Sequence, residues 1–298
     1  MRMLALGGNG FLGRAIVLDA LAHGAAVTSF SRGVSGEGLP GAVVQLVGDR
    51  SRADYAALAS GEWDVVVDLS GYQSREVDEA MDALGDRVGR YVFMSSHAVY
   101  APELPTGATE DGARREPLRA ADVLTNETYG RCKVACEDDV LARYGDRATI
   151  VRPGRVTGPG ESSDTVLYWV RRGARGGRVA VPTSPDQPLQ LVDSRDVARL
   201  VVQLAADDRP GAYNAIGPDS TLGELITTAA TLTNTTVDLI QIPTTSVPPR
   251  FPLVEPPALW PTRRRNPAKA RAAGLPVTPS PKPSKPSTPG TTTAASHP

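Results

Sequence analysis

The sequence is poorest in the groups that would cross-link it or carry it through a membrane. Among 298 residues there are two cysteines, Cys132 and Cys136. They are too few for a disulfide framework or a metal set, so no metal site is expected, and free thiols suit a reducing cytosol. No apolar run is long enough to span a bilayer, so no membrane partner is expected. Met1-Arg2 leads almost directly into a strand-like run, without signal-peptide anatomy. A cytoplasmic location is the expectation. Charge is also nearly balanced: the formal net charge of -1 gives no general pull toward nucleic acid or acidic lipid. A basic run, Arg263-Arg264-Arg265 with Lys269 and Arg271, lacks the interleaved aromatics on which bases stack.

What the chain does have is alternation. Apolar strands are expected at 3–6, 25–30, 43–47, 64–69, 91–95 and 148–152, with helices at 11–23, 51–58, 74–84 and 122–144. Such an order implies an α/β fold of the Rossmann type, a doubly wound parallel sheet covered on both faces. Further on, a helix at 165–172, strands at 178–181 and 189–192, a helix at 194–206, a strand at 212–216 and a helix at 221–231 capped by Ser220 or Thr221 are expected. The pattern divides the chain into a regular core (1–155), which the glycine turn below marks as dinucleotide-binding, and a smaller C-terminal lobe (156–275), expected to hold substrate, with 189–206 returning to the core. A Pro/Ser/Thr tail (276–298) is expected to be disordered and to do no chemistry.

The first strand ends in Gly7-Gly8-Asn9-Gly10-Phe11-Leu12-Gly13. Glycines at 7, 10 and 13 permit a tight turn and let the backbone approach a pyrophosphate, which then sits on the positive end of the next helix. The second strand ends at Ser31-Arg32, where an NAD site usually places an acidic residue for the ribose 2′-hydroxyl. A hydroxyl and a guanidinium suit a 2′-phosphate, so NADP(H) is expected ahead of NAD(H). Asp49, Ser70-Gly71 and Ser95-Ser96 also fall at the carboxyl ends of strands, where ligands bind in such sheets.

In the helix that follows, Tyr129 and Lys133 are four apart and share a face. A free tyrosine has a pKa near ~10. A cation held close lowers it, which makes the phenol a usable acid or base.

The glycine loop, Met94-Ser95-Ser96-His97-Ala98-Val99-Tyr100, Tyr129-Gly130-Arg131-Cys132-Lys133, Arg152-Pro153-Gly154-Arg155 and Val192-Asp193-Ser194-Arg195-Asp196-Val197-Ala198 come in order. With them the chain resembles the extended short-chain dehydrogenase/reductases, the NAD-dependent epimerase/dehydratase group. The stretches beginning at Gly48-Asp49-Arg50 and Asp64 resemble its chloroplast stem-loop-binding branch. The resemblance implies hydride transfer at a hydroxyl or carbonyl carbon of a small polar metabolite. In it Ser96 would hydrogen-bond the substrate oxygen, Tyr129 would move its proton, and Lys133 would hold the nicotinamide ribose. Cofactor contacts are expected from Gly7, Asn9, Gly10, Phe11, Leu12, Gly13, Ser31, Arg32, Asp49, Arg50, Leu69, Ser70, Gly71, Tyr129, Lys133 and Pro153, and substrate contacts from His97 and Arg155.

Two departures speak against a nucleotide-sugar substrate. Arg155 stands where such members usually carry asparagine, and Pro188-Leu189-Gln190 stands where they carry an arginine for the diphosphate. A nucleotide-sugar epimerase or dehydratase is one alternative. A non-catalytic dinucleotide-fold protein contacting RNA is the other, although nucleic acid is not the favoured partner. A homodimer through the helix bearing Tyr129 is common in the family.

Overall fold

Side chains alternate across the first strand, and that alternation divides the core. In β1 (Arg2–Leu6), Met3 and Ala5 turn to one face and Leu4 and Leu6 to the other; all four are buried. The structure, a computed structural model, describes residues 1–33, 38–161 and 163–277. Of the tail expected from 276 on, 278–298 lie outside the described residues.

Seven strands form one parallel sheet. They are β1, β2 (Ala26–Ser31), β3 (Val44–Val47), β4 (Trp63–Asp68), β5 (Val88–Met94), β6 (Ala148–Pro153) and β11 (Gly211–Ala215), in the order β11-β6-β5-β4-β1-β2-β3. The chain winds outward from β1 to β3, then crosses back to place β4 on the other side of β1. The crevice beside the carboxyl end of β1 is therefore a topological switch point. On one face lie α1 (Phe11–Ala22) and α5 (Ser194–Ala206), packed through Ile16, Val17, Leu200 and Val201. On the other lie α2 (Ser74–Leu84) and α3 (Asn126–Tyr144), packed through Val77, Met81, Cys136 and Val140.

A third apolar cluster gathers around the buried Trp169. It is built from α4 (Asp164–Ala174) and α6 (Leu222–Leu232), with β8 (Gly177–Val181) paired in parallel to β13 (Val237–Gln241). Phe251 and Leu253 belong to this cluster, and the Trp169 indole donates to the Pro252 carbonyl at 2.7 Å. From there residues 253–266 run as a strap back to the core. Two buried glutamines hold it. Gln187 donates to the Leu253 carbonyl at 2.6 Å and accepts from the Glu255 amide at 2.9 Å; Gln190 accepts from the Arg265 amide at 2.9 Å. Beyond the strap, α7 (Ala268–Ala272) packs on β11, and Ala270 and Leu275 join the core cluster of Met3.

Three of the expected elements are redrawn. The helix expected at 51–58 is two single 3₁₀ turns, Arg50–Arg52 and Ala56–Leu58. The Asp49 carboxylate takes the Ser51 amide at 3.0 Å, and Ala53 adopts a left-handed φ of 54°, so the spiral cannot continue. The helix expected from 122 begins at Asn126, because Thr125 and Thr128 cap each other's amides. The strand expected at 189–192 divides at Gln190. Its first half, β9 (Pro188–Leu189), pairs antiparallel with β12 (Ser220–Thr221), and its second, β10 (Leu191–Asp193), pairs in parallel with β7 (Arg155–Thr157). In the arginine run, two guanidinia are paired within the chain and the third is buried. Arg263 pairs with Glu255 at 2.9 Å, Arg264 pairs with Asp219 at 3.0 Å, and Arg265 is 3 % exposed.

Candidate active site

The turn after β1 leaves its backbone free for a ligand. Gly10 is the N-cap of α1, and the amides of Phe11, Leu12 and Gly13 open the helix without intrahelical carbonyls to donate to. That helix end carries the positive pole of its dipole, and Phe11-Leu12-Gly13-Arg14 places no carboxylate there. Two glycines are required by contact. Gly7 has a φ of 93°, and a Cβ at Gly13 would collide with the Gly7 carbonyl. A Cβ at Gly10 would instead meet only the Gly7 carbonyl, at 3.6 Å. Asn9 fastens the loop to β2, its Oδ1 accepting from Ser29 at 3.0 Å and Ser31 at 3.2 Å.

From this turn a cavity of about 610 Å³ runs along the carboxyl ends of the strands. Its size is that of a cofactor pocket. All sixteen residues expected to contact a cofactor border it except Gly71. Glycine loop, Ser31, Arg32 and Asp49 lie at the ends of β1, β2 and β3, and Leu69 and Ser70 follow β4, with Tyr129 and Lys133 from α3 and Pro153 from β6. Phe30, Gly48, Ser51, Tyr72, Glu76, Met94 and Ser95 also line it and were not among the expected contacts; all lie on or close beside elements already placed there. A bound dinucleotide fits this set: open amides for the pyrophosphate and polar strand ends for the riboses.

Arg50 is committed inward. It reaches both oxygens of Asp68, at 2.5 and 3.0 Å, and also the Ser70 hydroxyl at 3.0 Å. Asp68 is fully buried and takes a further bond from the Tyr91 hydroxyl at 2.7 Å. Burial alone would raise the Asp68 pKa, but the guanidinium holds it below its ordinary value.

Lys133 is 2 % exposed. Its ammonium donates to the Gly71 carbonyl at 2.8 Å and the Met94 carbonyl at 2.7 Å, tying the ends of β4 and β5 together. Gly71 thus contributes through Lys133 rather than through the cavity wall. Tyr129 borders the same cavity, with the Tyr72 ring 6.5 Å away. Its expected pKa depression is reversed here: burial pushes the phenol up to about 12, Tyr72 adds to the rise, and a hydrogen bond with Ser96 opposes it. Lys133 does not offset that burial: its ammonium is directed at the Gly71 and Met94 carbonyls. Ser96 itself also accepts the Ala98 amide at 3.1 Å, capping the 3₁₀ turn His97–Val99.

His97 and Arg155, the expected substrate contacts, line a second, smaller cavity of about 40 Å³. It follows the first closely along the chain: Ser95 and Pro153 line the first cavity, and His97, Gly154 and Arg155 line the second. Its other polar walls are Gln187, Gln190 and, from the strap, Glu255 and Arg263. Of the strap residues, Glu255 carries no local signal in the sequence, lying among the prolines of 243–261, and Arg263 shows only as part of the basic run.

Residues 3–216 match the NAD dependent epimerase/dehydratase family. The chain belongs to that family. A relative in Arabidopsis thaliana, the chloroplast stem-loop binding protein of 41 kDa b, is 26% identical over 223 residues, covering 70% of this chain and 56% of its own length. The chain therefore spans little more than half of that relative. The dTDP-6-deoxy-L-talose 4-dehydrogenase (NAD(P)(+)) of Kitasatospora kifunensis is 29% identical over 232 residues, covering 69% of this chain and 70% of its own length. Among solved structures, UDP-N-acetylglucosamine 4-epimerase from Bacillus cereus has a TM-score of 0.66 at 17% identity, covering 83% of this chain and 88% of its own. The UDP-glucose 4-epimerase of Thermus thermophilus, in complex with NAD, has a TM-score of 0.63 at 21% identity, covering 93% and 94%. At these identities the structural likeness establishes the family's Rossmann-type fold. Among the described residues no helix is long and apolar enough to cross a membrane.

Proposed function

We propose that this family member is an NAD(P)-dependent oxidoreductase or epimerase acting at a hydroxyl or carbonyl carbon of a small polar metabolite. The observation that carries the reading is that Tyr129 and Lys133 both border the cavity that starts from the glycine loop, with Ser96, which is not in the cavity wall, hydrogen-bonded to Tyr129. When bound, the nicotinamide supplies or accepts the hydride. The chain's own residues do the rest. Ser96 donates to the substrate oxygen, and Tyr129 gives that oxygen a proton or removes one. A phenol pushed up to about 12 is protonated at neutral pH, the state from which a donor starts, but is a weaker acid than a free tyrosine. An ammonium has three N–H groups, and Lys133 uses two of them on Gly71 and Met94. The third is available to a ribose hydroxyl.

Tyr129→Phe is expected to lower turnover by at least ~100-fold while leaving dinucleotide affinity within about twofold. Full activity in that variant, measured by NAD(P)H oxidation against a panel of ketones and keto-sugars, would remove the proton donor from the reading. Tight RNA binding without any dinucleotide binding would favour a purely binding role instead.

NADP(H) is the finer assignment, with NAD(H) second. Arg32 is exposed at the cavity edge beside Ser31, and its charge already acts on Asp49. Replacing Arg32 with Ala should weaken NADPH by roughly tenfold and NADH far less. Equal losses in a fluorescence titration would undo the 2′-phosphate assignment.

A further inference from the structure

The small cavity beside His97 has an excess of positive charge with one carboxylate in its midst. Arg155 approaches from the start of β7 and Arg263 from the strap, and each takes a different oxygen of Glu255, at 3.6 and 2.9 Å. Glu161 lends Arg155 a weaker attraction from outside. Arg265 adds a third guanidinium whose charge reaches His97. Among the described residues no carboxylate pairs with Arg265, and the Nε atoms of Arg263 and Arg265 are buried without a hydrogen-bond partner. His97 is neutral, held there by burial and by the three arginines.

Two like-charged guanidinia brought together in a partly buried pocket need an anion between them. Glu255 fills that need from within the chain. Its position is imposed by the strap: Gln187 holds the backbone at Leu253 and Glu255, and the Trp260 indole donates to the Glu255 carbonyl at 3.1 Å. The Arg155 contact, at 3.6 Å, is too long for a hydrogen bond, so the internal carboxylate satisfies one arginine well and the other poorly. The volume, about 40 Å³, admits a few waters or one compact oxyanion and excludes a nucleotide.

We infer that Arg155 and Arg263 form the receptor for an anionic group on a compact substrate, a carboxylate or a phosphate ester, and that Glu255 occupies the receptor until that group displaces it. The inference rests on the reading of the large cavity as a dehydrogenase or epimerase site and names its substrate class. It also gives the departures from the nucleotide-sugar pattern a purpose. Where an arginine is missing near Gln190, the glutamines there hold the strap that delivers Arg263 instead.

The test is calorimetric titration of the full chain, without dinucleotide, with methyl phosphate, acetate and uridine diphosphate. Glu255→Gln keeps the shape and removes the competing charge, and should bind methyl phosphate or acetate roughly tenfold more tightly than the unaltered chain. The tighter of the two identifies the group. Arg155→Gln and Arg263→Gln should abolish that binding, whereas Arg264→Gln, whose guanidinium pairs with Asp219 outside the small cavity, should not change it. Glu255→Gln binding neither anion better than the unaltered chain would overturn the inference. So would uridine diphosphate binding more tightly than both and being lost in Arg155→Gln. Because no hydride chemistry is read, failure here is distinguishable from failure of the redox assignment.

Discussion

At the scale of single residues, charge placement decides what each side chain can do. His97 is pushed down to about 3 by burial and by Arg263, Arg265 and Arg155, against an ordinary 6.5. It is therefore a neutral imidazole at physiological pH and lines the small cavity uncharged. The depressed value has a consequence for stability. Below about 6.5 the unfolded chain takes up a proton that the fold refuses, so the contribution present above that pH is lost as pH falls toward about 3. The loss is at most about 1.4 kcal/mol per pH unit. His97→Gln should flatten the acid limb of a melting-temperature curve across that window; parallel curves for the two proteins would contradict it. Tyr129 shows the limit of residue spacing as evidence. An interval of four puts two side chains on one face, but it does not say where a flexible lysine points. Here the ammonium is drawn to two backbone carbonyls that no local pattern announces.

At the scale of elements, buried ion pairs hold strand ends in register around the cavity. Asp68 at the end of β4 anchors Arg50 from the turn after β3, and Glu137 on α3 receives Arg152 from β6 at 2.8 Å and Arg114 at 3.0 Å. Such pairs add little net stability, yet removing one partner strands the other charge. Asp68→Ala is expected to cost about 3–5 kcal/mol in urea unfolding. A loss below ~1 kcal/mol would mean that Arg50 finds another partner. The strands of the sheet were legible because each is a short apolar run between turn residues, and α2 and α5 fall within the bounds expected for them. What escaped reading was decided by contacts. Ala56-Ala57-Leu58 favours a helix, but Asp49 and the left-handed Ala53 break it upstream. Val237–Gln241 becomes a strand because β8 offers it a parallel edge, and Ala268–Ala272 becomes a helix by packing on β11.

At the scale of the whole molecule, the strap makes the small cavity. The lining of the large cavity could be read almost entirely from residues within the first 153, since strand ends and the glycine loop have local signatures. The meeting of Glu255 with Arg263 at the small cavity could not, since their places follow from two glutamines far earlier in the chain gripping backbone rather than side chains. Gln187→Leu should leave the sheet intact and raise amide hydrogen exchange in 253–265 by roughly tenfold. Unchanged exchange there would show that the strap is held without it. The far end of the strap also governs the order in which the chain can be finished. Leu275 and Ala270 sit in the same apolar layer as Met3, so the earliest described strand and the last described turn complete one another. A nascent chain whose α7 is still inside the ribosome leaves the apolar face of α5 and β11 uncovered, and that layer seals only once the helix emerges.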